Sequence, residues 1–188
     1  MSYDDNRDFI TFYGICTYNW GETYGTFSGT SYILVRDYIS DGCSFCTSST
    51  SGSTYTIKFL YPSYIKKDFW VEGTAQGHIT FSATGRASSV TNYRVSICKI
   101  NSDMTDEELF ATGTKSIHSI DCVTGYRLAL NDEIVLPFWI NCTPEKRLGE
   151  NDRIYMKVES TATNRNLKLC HDNSSTWEDF KIEIPFRL

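Results

Sequence analysis

The residues in this chain best able to carry chemistry are seven cysteines, three histidines and a few neighbouring acids. Cys43-Ser-Phe-Cys46 has the spacing of half a structural zinc site. Such a site needs four ligands, the other two usually supplied by a second Cys-x-x-Cys or a His pair. No second pair exists: Cys98, Cys122, Cys142, Cys170 and His171 are scattered and would have to converge in space. A dithiol redox role needs a βαβ setting, which the pattern lacks. The expectation is no metal and no cofactor, with Cys43 and Cys46 on a loop, one thiol buried and one exposed. Cys98, Cys122 and Cys142 fall in strand-like runs and read as small apolar residues.

Catalytic constellations fare no better. His78, His118 and His171 are far apart, and there is no His-Glu-x-x-His run and no Gly-x-Ser-x-Gly elbow. His171-Asp172 would serve a hydrolase only with a nucleophile held on a rigid turn, and none stands out. Asp132-Glu133, Asp106-Glu107-Glu108 and Glu178-Asp179 sit in polar connections. A glycosidase pair would need two carboxyl groups roughly 5 to 9.5 Å apart across a cleft; adjacent surface acids are the simpler reading. There is no Gly-x-x-x-x-Gly-Lys phosphate loop. Asn141-Cys-Thr and Asn173-Ser-Ser match the glycosylation acceptor pattern by chance on this reading. The sequence therefore predicts that the chain is no enzyme.

The totals narrow the partners. With 188 residues, 18 basic against 23 acidic and a net charge of −5, the chain has no Lys/Arg block to neutralise a run of phosphates, so nucleic acid is not expected. No apolar run reaches the roughly 18 residues that span a bilayer, so no membrane is expected. An odd cysteine count and a polar, acidic start, Met1 to Asp8, predict a chain made in a reducing cytoplasm without export.

The elements that must position any site are strands. Ile79, Phe81 and Ala83 alternate with polar neighbours, as do Tyr93, Val95 and Ile97; Tyr126, Leu128 and Leu130; Ile154, Met156 and Val158; and Phe180, Ile182, Ile184 and Phe186. Side chains change face at each residue of a strand, so each run puts one face on a core and one in water. That pattern belongs to antiparallel sheets. Ile134-Val-Leu-Pro-Phe-Trp-Ile140 is more continuously apolar and reads as a more buried strand, with Pro137 marking a bulge or an edge. Turn signals between the runs complete the pattern of a sandwich or barrel. Only Asp103 to Phe110 could form a helix, of about two turns, or equally a connection between strands.

The first 53 residues differ: Phe9 to Tyr18 looks like an aromatic strand, Trp20 to Thr30 is irregular with Gly punctuation, and Ile33, Val35 and Asp37 alternate with Leu34 and Arg36. The segment reads as an N-terminal arm or elaboration leading into a sandwich over 54–188. Phe9, Phe12, Tyr13, Trp20, Tyr24 and Phe27 are its notable residues, with Tyr3 and Tyr18 beside them. Two readings stand: they complete the core, or the segment adds to a neighbouring chain, pairing its backbone with a sheet edge while its aromatics fill pockets. The second makes these six the candidate partner-contact residues.

Two stretches resemble structural proteins of tailed bacteriophages. Gly29-Thr-Ser-Tyr32 leads through an Asp-rich turn, Asp37 to Asp41, to Ser48-Ser-Thr-Ser-Gly-Ser-Thr-Tyr55. The strand Tyr93 to Ile100 precedes Glu108-Leu-Phe-Ala-Thr-Gly113, and Leu148-Gly-Glu-Asn-Asp-Arg-Ile-Tyr-Met-Lys-Val158 comes later. Virion β-sandwiches carry a similar order, with Gly-Asp where this chain has Asn151-Asp152. The resemblance implies an all-β, antiparallel, jelly-roll-like β-sandwich with an extended N-terminal arm. It further implies a capsid decoration or cement protein located on the virion. Its partners would be the major capsid protein or neighbouring subunits, in a homo-oligomer with a trimer as the first expectation. The alternative from another class is a carbohydrate-binding or host-adhesion module stacking sugars on Trp139, Trp177 or Tyr126.

Overall fold

The computed structural model describes residues 7–16, 32–36, 45–48, 54–83, 88–101, 107–116, 126–128, 133–162, 167–171 and 180–187. Among these residues there is no helix, and so none long and apolar enough to cross a membrane. The fourteen strands among the described residues form an antiparallel β-sandwich, with one short parallel contact there between β2 (Tyr32–Val35) and β4 (Thr54–Leu60).

One layer runs β3 (Phe45–Ser48), β13 (Leu167–His171), β6 (Thr74–Ala83), β14 (Phe180–Arg187) and β1 (Arg7–Cys16). On its other side β6 pairs with β10 (Glu133–Asn141), and β5 (Phe69–Val71) with β11 (Lys146–Leu148) extends β14. The other layer runs β4, β12 (Arg153–Ala162), β7 (Ser88–Ile100) and β8 (Glu107–Ser116), with β9 (Tyr126–Leu128) beside β7. The inner halves of the alternating runs form the core: Ile79 and Phe81 from β6, Phe180 to Phe186 from β14, Tyr93 to Ile97 from β7, and Ile154 to Val158 from β12. Aromatic pairs stitch the layers together. The Phe59 ring lies 4.7 Å from that of Phe180, and Phe81 lies 6.3 Å from Tyr93.

Three sequence expectations meet structural answers. Residues 107–110, from the one candidate helix, lie in β8 and pair with β7, because ladder hydrogen bonds across a sheet outweigh weak local propensity. Pro137 lies in β10, which among the described residues pairs only with β6, so its missing N–H falls where no ladder needs it. The buried Tyr93 hydroxyl, from the other layer, donates to the Pro137 carbonyl and ties this strand across the sandwich. Asn151 takes φ 69° in the turn after β11, the left-handed conformation that Asn tolerates in place of Gly.

The described parts of the N-terminal segment are woven into the sheet. β1 lies between β14 and β2, pairing Arg7 to Tyr13 with Arg187 to Lys181, and β2 and β3 also come from the first 53 residues. Phe12, expected as a partner contact, is instead 3% exposed, its ring 5.2 Å from Tyr61 and 6.4 Å from Phe186. It faces inward with Ile10 because β1 alternates, so it completes the core rather than reaching a neighbour.

Candidate functional site on the outer face of the first layer

The polar halves of the alternating runs share one outward face, and the register fixes who stands beside whom. Trp139 is opposite Gln76, Gln76 is opposite Glu183, and Glu183 is opposite Thr11. The next row runs Pro137, His78, Lys181 and Tyr13. Gln76, His78, Pro137, Trp139, Lys181 and Glu183 line a shallow groove of about 260 Å³, floored by Gly77. That is just below the roughly 300 to 1,000 Å³ of enclosed ligand pockets, so the groove is a platform with polar margins.

Trp139 supplies the platform, with 56% of its surface exposed. Its neighbours Phe138 and Ile140 point into the core, so alternation obliges the indole to point out. Glu183 supplies the polar margin. Gln76 Nε2 donates to Glu183 Oε2 at 2.9 Å, and Lys181 Nζ lies 3.3 Å from Oε1. The Gln76 hydrogen bond, with help from Lys181 and His78, holds the Glu183 carboxyl below the usual range against a smaller opposing effect of burial. The groove thus presents an aromatic face beside an ionised, oriented carboxylate and amide, ammonium and imidazole groups.

A second hollow, of about 490 Å³, is lined by Phe9, Ile10, Thr11 and Arg36. Phe9 is 57% exposed and Tyr13 half-buried. Of the other aromatics singled out by sequence, Trp20, Tyr24, Phe27 and Trp177 lie outside the described residues, and Tyr126 lies in β9. Cys43 and His118 are also outside them. Cys46 in β3 stands opposite Cys170 in β13. Among the described residues no group of three or more His, Cys, Asp or Glu is placed to hold a metal ion. Cys98 and Cys142 are buried, and burial raises the pKa of Cys142. Gln76, Lys181 and Glu183 were not singled out by sequence reasoning. Their only signal was that they occupy the outward half of alternating runs.

The fold is an antiparallel β-sandwich with a shallow, polar-margined groove on one outer face. No family model matches the chain, and no curated protein matches it. Two crystal structures of a CocE/NonD family hydrolase from Staphylococcus aureus resemble it, with TM-scores of 0.64 and 0.63 and identities of 11% and 10%. They match 96% and 97% of this chain, which spans 37% of each hydrolase chain. A lower likeness, TM-score 0.36 at 9% identity over 96% of this chain and 55% of the other, is to carbohydrate-binding modules of the β-sandwich superfamily. The hydrolase likeness establishes the fold. It also corrects the expectation that the chain is no enzyme, since the sandwich is one that a hydrolase carries. The sequence inference failed because a search for motifs weighs catalytic residues only, while a fold is shared across functions.

Proposed function

We propose that the chain is a carbohydrate-binding β-sandwich that receives sugar rings on Trp139 and hydrogen-bonds their hydroxyls with Gln76, Glu183, His78 and Lys181. The carrying observation is Trp139, a large aromatic more than half exposed on a strand whose neighbours are core, beside a carboxylate already oriented by two partners. Aromatic faces bind apolar sugar faces while a few placed polar groups fix orientation. A glycan array tests this with wild-type protein and Trp139→Ala. Binding to some glycan that Trp139→Ala abolishes supports the reading; binding unchanged in Trp139→Ala, or no binding to any glycan, rejects it. Neither outcome bears on whether the chain also belongs to an enzyme.

A second reading is the virion decoration role, on a capsid surface and as a homo-oligomer. Its support is three exposed apolar side chains, Phe9, Leu109 and Val135, on three strands. A stable contact would bury more than about 1,000 Å² and include such residues. Light scattering at high concentration and co-sedimentation with virus particles test it. A monomer that binds no particle rejects it.

A further inference from the structure

The groove and the second hollow lie on paired strands. Glu183 lines the groove, and the residue opposite it on β1, Thr11, lines the hollow that Phe9 and Arg36 complete. Phe9 stands opposite Pro185, two residues along β14 from Glu183 on the same face. From Trp139 on β10 to Thr11 on β1 is three inter-strand steps, or about 14 Å at about 4.8 Å per step. A single sugar ring fills neither the span nor both aromatic stations. Charge is not even along this track. The Glu183 carboxylate is held by Gln76 and Lys181, while among the described residues the far hollow is lined by an exposed Arg36 and by no acid. Arg presents a planar fork of donors that matches a carboxylate or sulfate oxygen pair.

Building on the carbohydrate reading above, we infer that the ligand is an acidic oligosaccharide laid across the strands, stacked at Trp139 and at Phe9, with an anionic substituent held by Arg36. The Trp139 end selects for a sugar, the Phe9 end for chain length, and Arg36 for charge.

Calorimetric titration of the full chain with oligogalacturonides of two to six units, their carboxyl-reduced counterparts and a sulfated oligomer of matched length tests this. Affinity is expected to rise with length up to the span. An acidic oligomer, carboxylated or sulfated, should bind about tenfold tighter than the neutral one, as expected for a charge-assisted hydrogen bond. Arg36→Gln should weaken acidic oligomers about tenfold more than neutral ones and so erase that preference. Phe9→Ala should weaken long oligomers and spare the disaccharide. Both residues are exposed, and an unchanged thermal midpoint in each variant shows that folding is intact. If wild-type protein binds acidic and neutral oligomers equally, or if Arg36→Gln and Phe9→Ala change neither preference nor length dependence, the inference fails. If it fails while Trp139→Ala still abolishes binding, the groove reading survives it. Full binding by Trp139→Ala brings down both.

Discussion

Gly77 sits in the middle of β6, between Phe138 of β10 and Ile182 of β14. A Cβ placed there would lie 2.1 Å from the Lys181 carbonyl oxygen, 2.7 Å from Phe138 Cζ and 3.0 Å from Ile182 Cα. Ordinary carbon–oxygen contacts between strands are near 3.3 to 3.6 Å, so β14 would have to move by about 1 Å. Two of the three obstacles are backbone, which cannot rotate aside. Gly77→Ala should therefore cost about 1 to 3 kcal/mol in overpacking. Loss of one or two ladder hydrogen bonds adds about 0.5 to 1.5 kcal/mol each. Reduced freedom of the unfolded chain returns about 0.4 to 1 kcal/mol. The net expectation is a destabilisation of about 0.5 to 5.5 kcal/mol, centred near 3. For a chain of this length the central value lowers the thermal midpoint by roughly 6 to 12 °C. Urea unfolding at 25 °C followed by tryptophan fluorescence measures it. Gly149→Ala is the control, because its nearest neighbour would be Asp152 Oδ2 at 3.4 Å, an ordinary contact; it should change stability by less than about 0.5 kcal/mol. A Gly77→Ala protein within that same margin of wild type would refute the close approach of β14 to β6 and the groove built on it.

Further outcomes follow from other contacts. Tyr93→Phe should cost about 1 to 2 kcal/mol, because the Pro137 carbonyl loses the hydroxyl that reaches it across the sandwich. Burial pushes the Tyr93 phenol well above its ordinary value of 10 and the Cys142 thiol above 9, so above those values the unfolded chain releases protons that the folded chain keeps. Stability should fall as pH rises beyond about 9 to 10, and Tyr93→Phe should fall by one proton's slope less, as urea titrations from pH 8 to 11 would measure. The depressed Glu183 pKa gives the opposite sign: its contribution is present above 4.5 and lost as pH falls below it, so Glu183→Gln should show a flatter acid limb in the same assay. At Asn151, with φ 69°, substitution by Gly should be neutral or stabilising by up to about 1 kcal/mol and substitution by Val should cost about 1 to 2 kcal/mol or more, read from thermal midpoints.

The strands were legible because period-two alternation is a direct consequence of burial on one face. Ile154, Met156 and Val158, or Phe180 to Phe186, could hardly have been read otherwise. The turn role of Asn151-Asp152 was legible too: Gly149 N donates to the Asp152 carboxylate, Asp152 N donates to the Gly149 carbonyl, and Asn151 takes the conformation that a glycine would. Phe12 could not be assigned from sequence to core or to contact because an aromatic excess does not say which aromatics face inward. That depends on the phase of β1 against β14, which no local pattern encodes. The groove was illegible for a related reason. Gln76, Trp139 and Glu183 are separated by 63 and 44 residues of chain and become neighbours only through two strand pairings.

Register is therefore the link between fold and function in this molecule. A one-residue slip of β10 against β6 would carry Trp139 into the core and turn Phe138 to solvent, since side chains change face at every residue. The pairing that resists such a slip is Phe138 opposite Gly77. The Phe138 ring occupies the space that any larger residue at 77 would claim, and β14 closes the same space from the other side with the Lys181 carbonyl. With Phe138 seated there, Trp139 must stand outward opposite Gln76, and Gln76 must stand opposite Glu183. An inward-facing glycine thus fixes an outward-facing tryptophan. Gly77→Ala should accordingly weaken ligand binding even where enough folded protein survives to measure it, whereas a destabilisation of equal size introduced at Asn151, far from this pairing, should leave the affinity of the folded fraction unchanged.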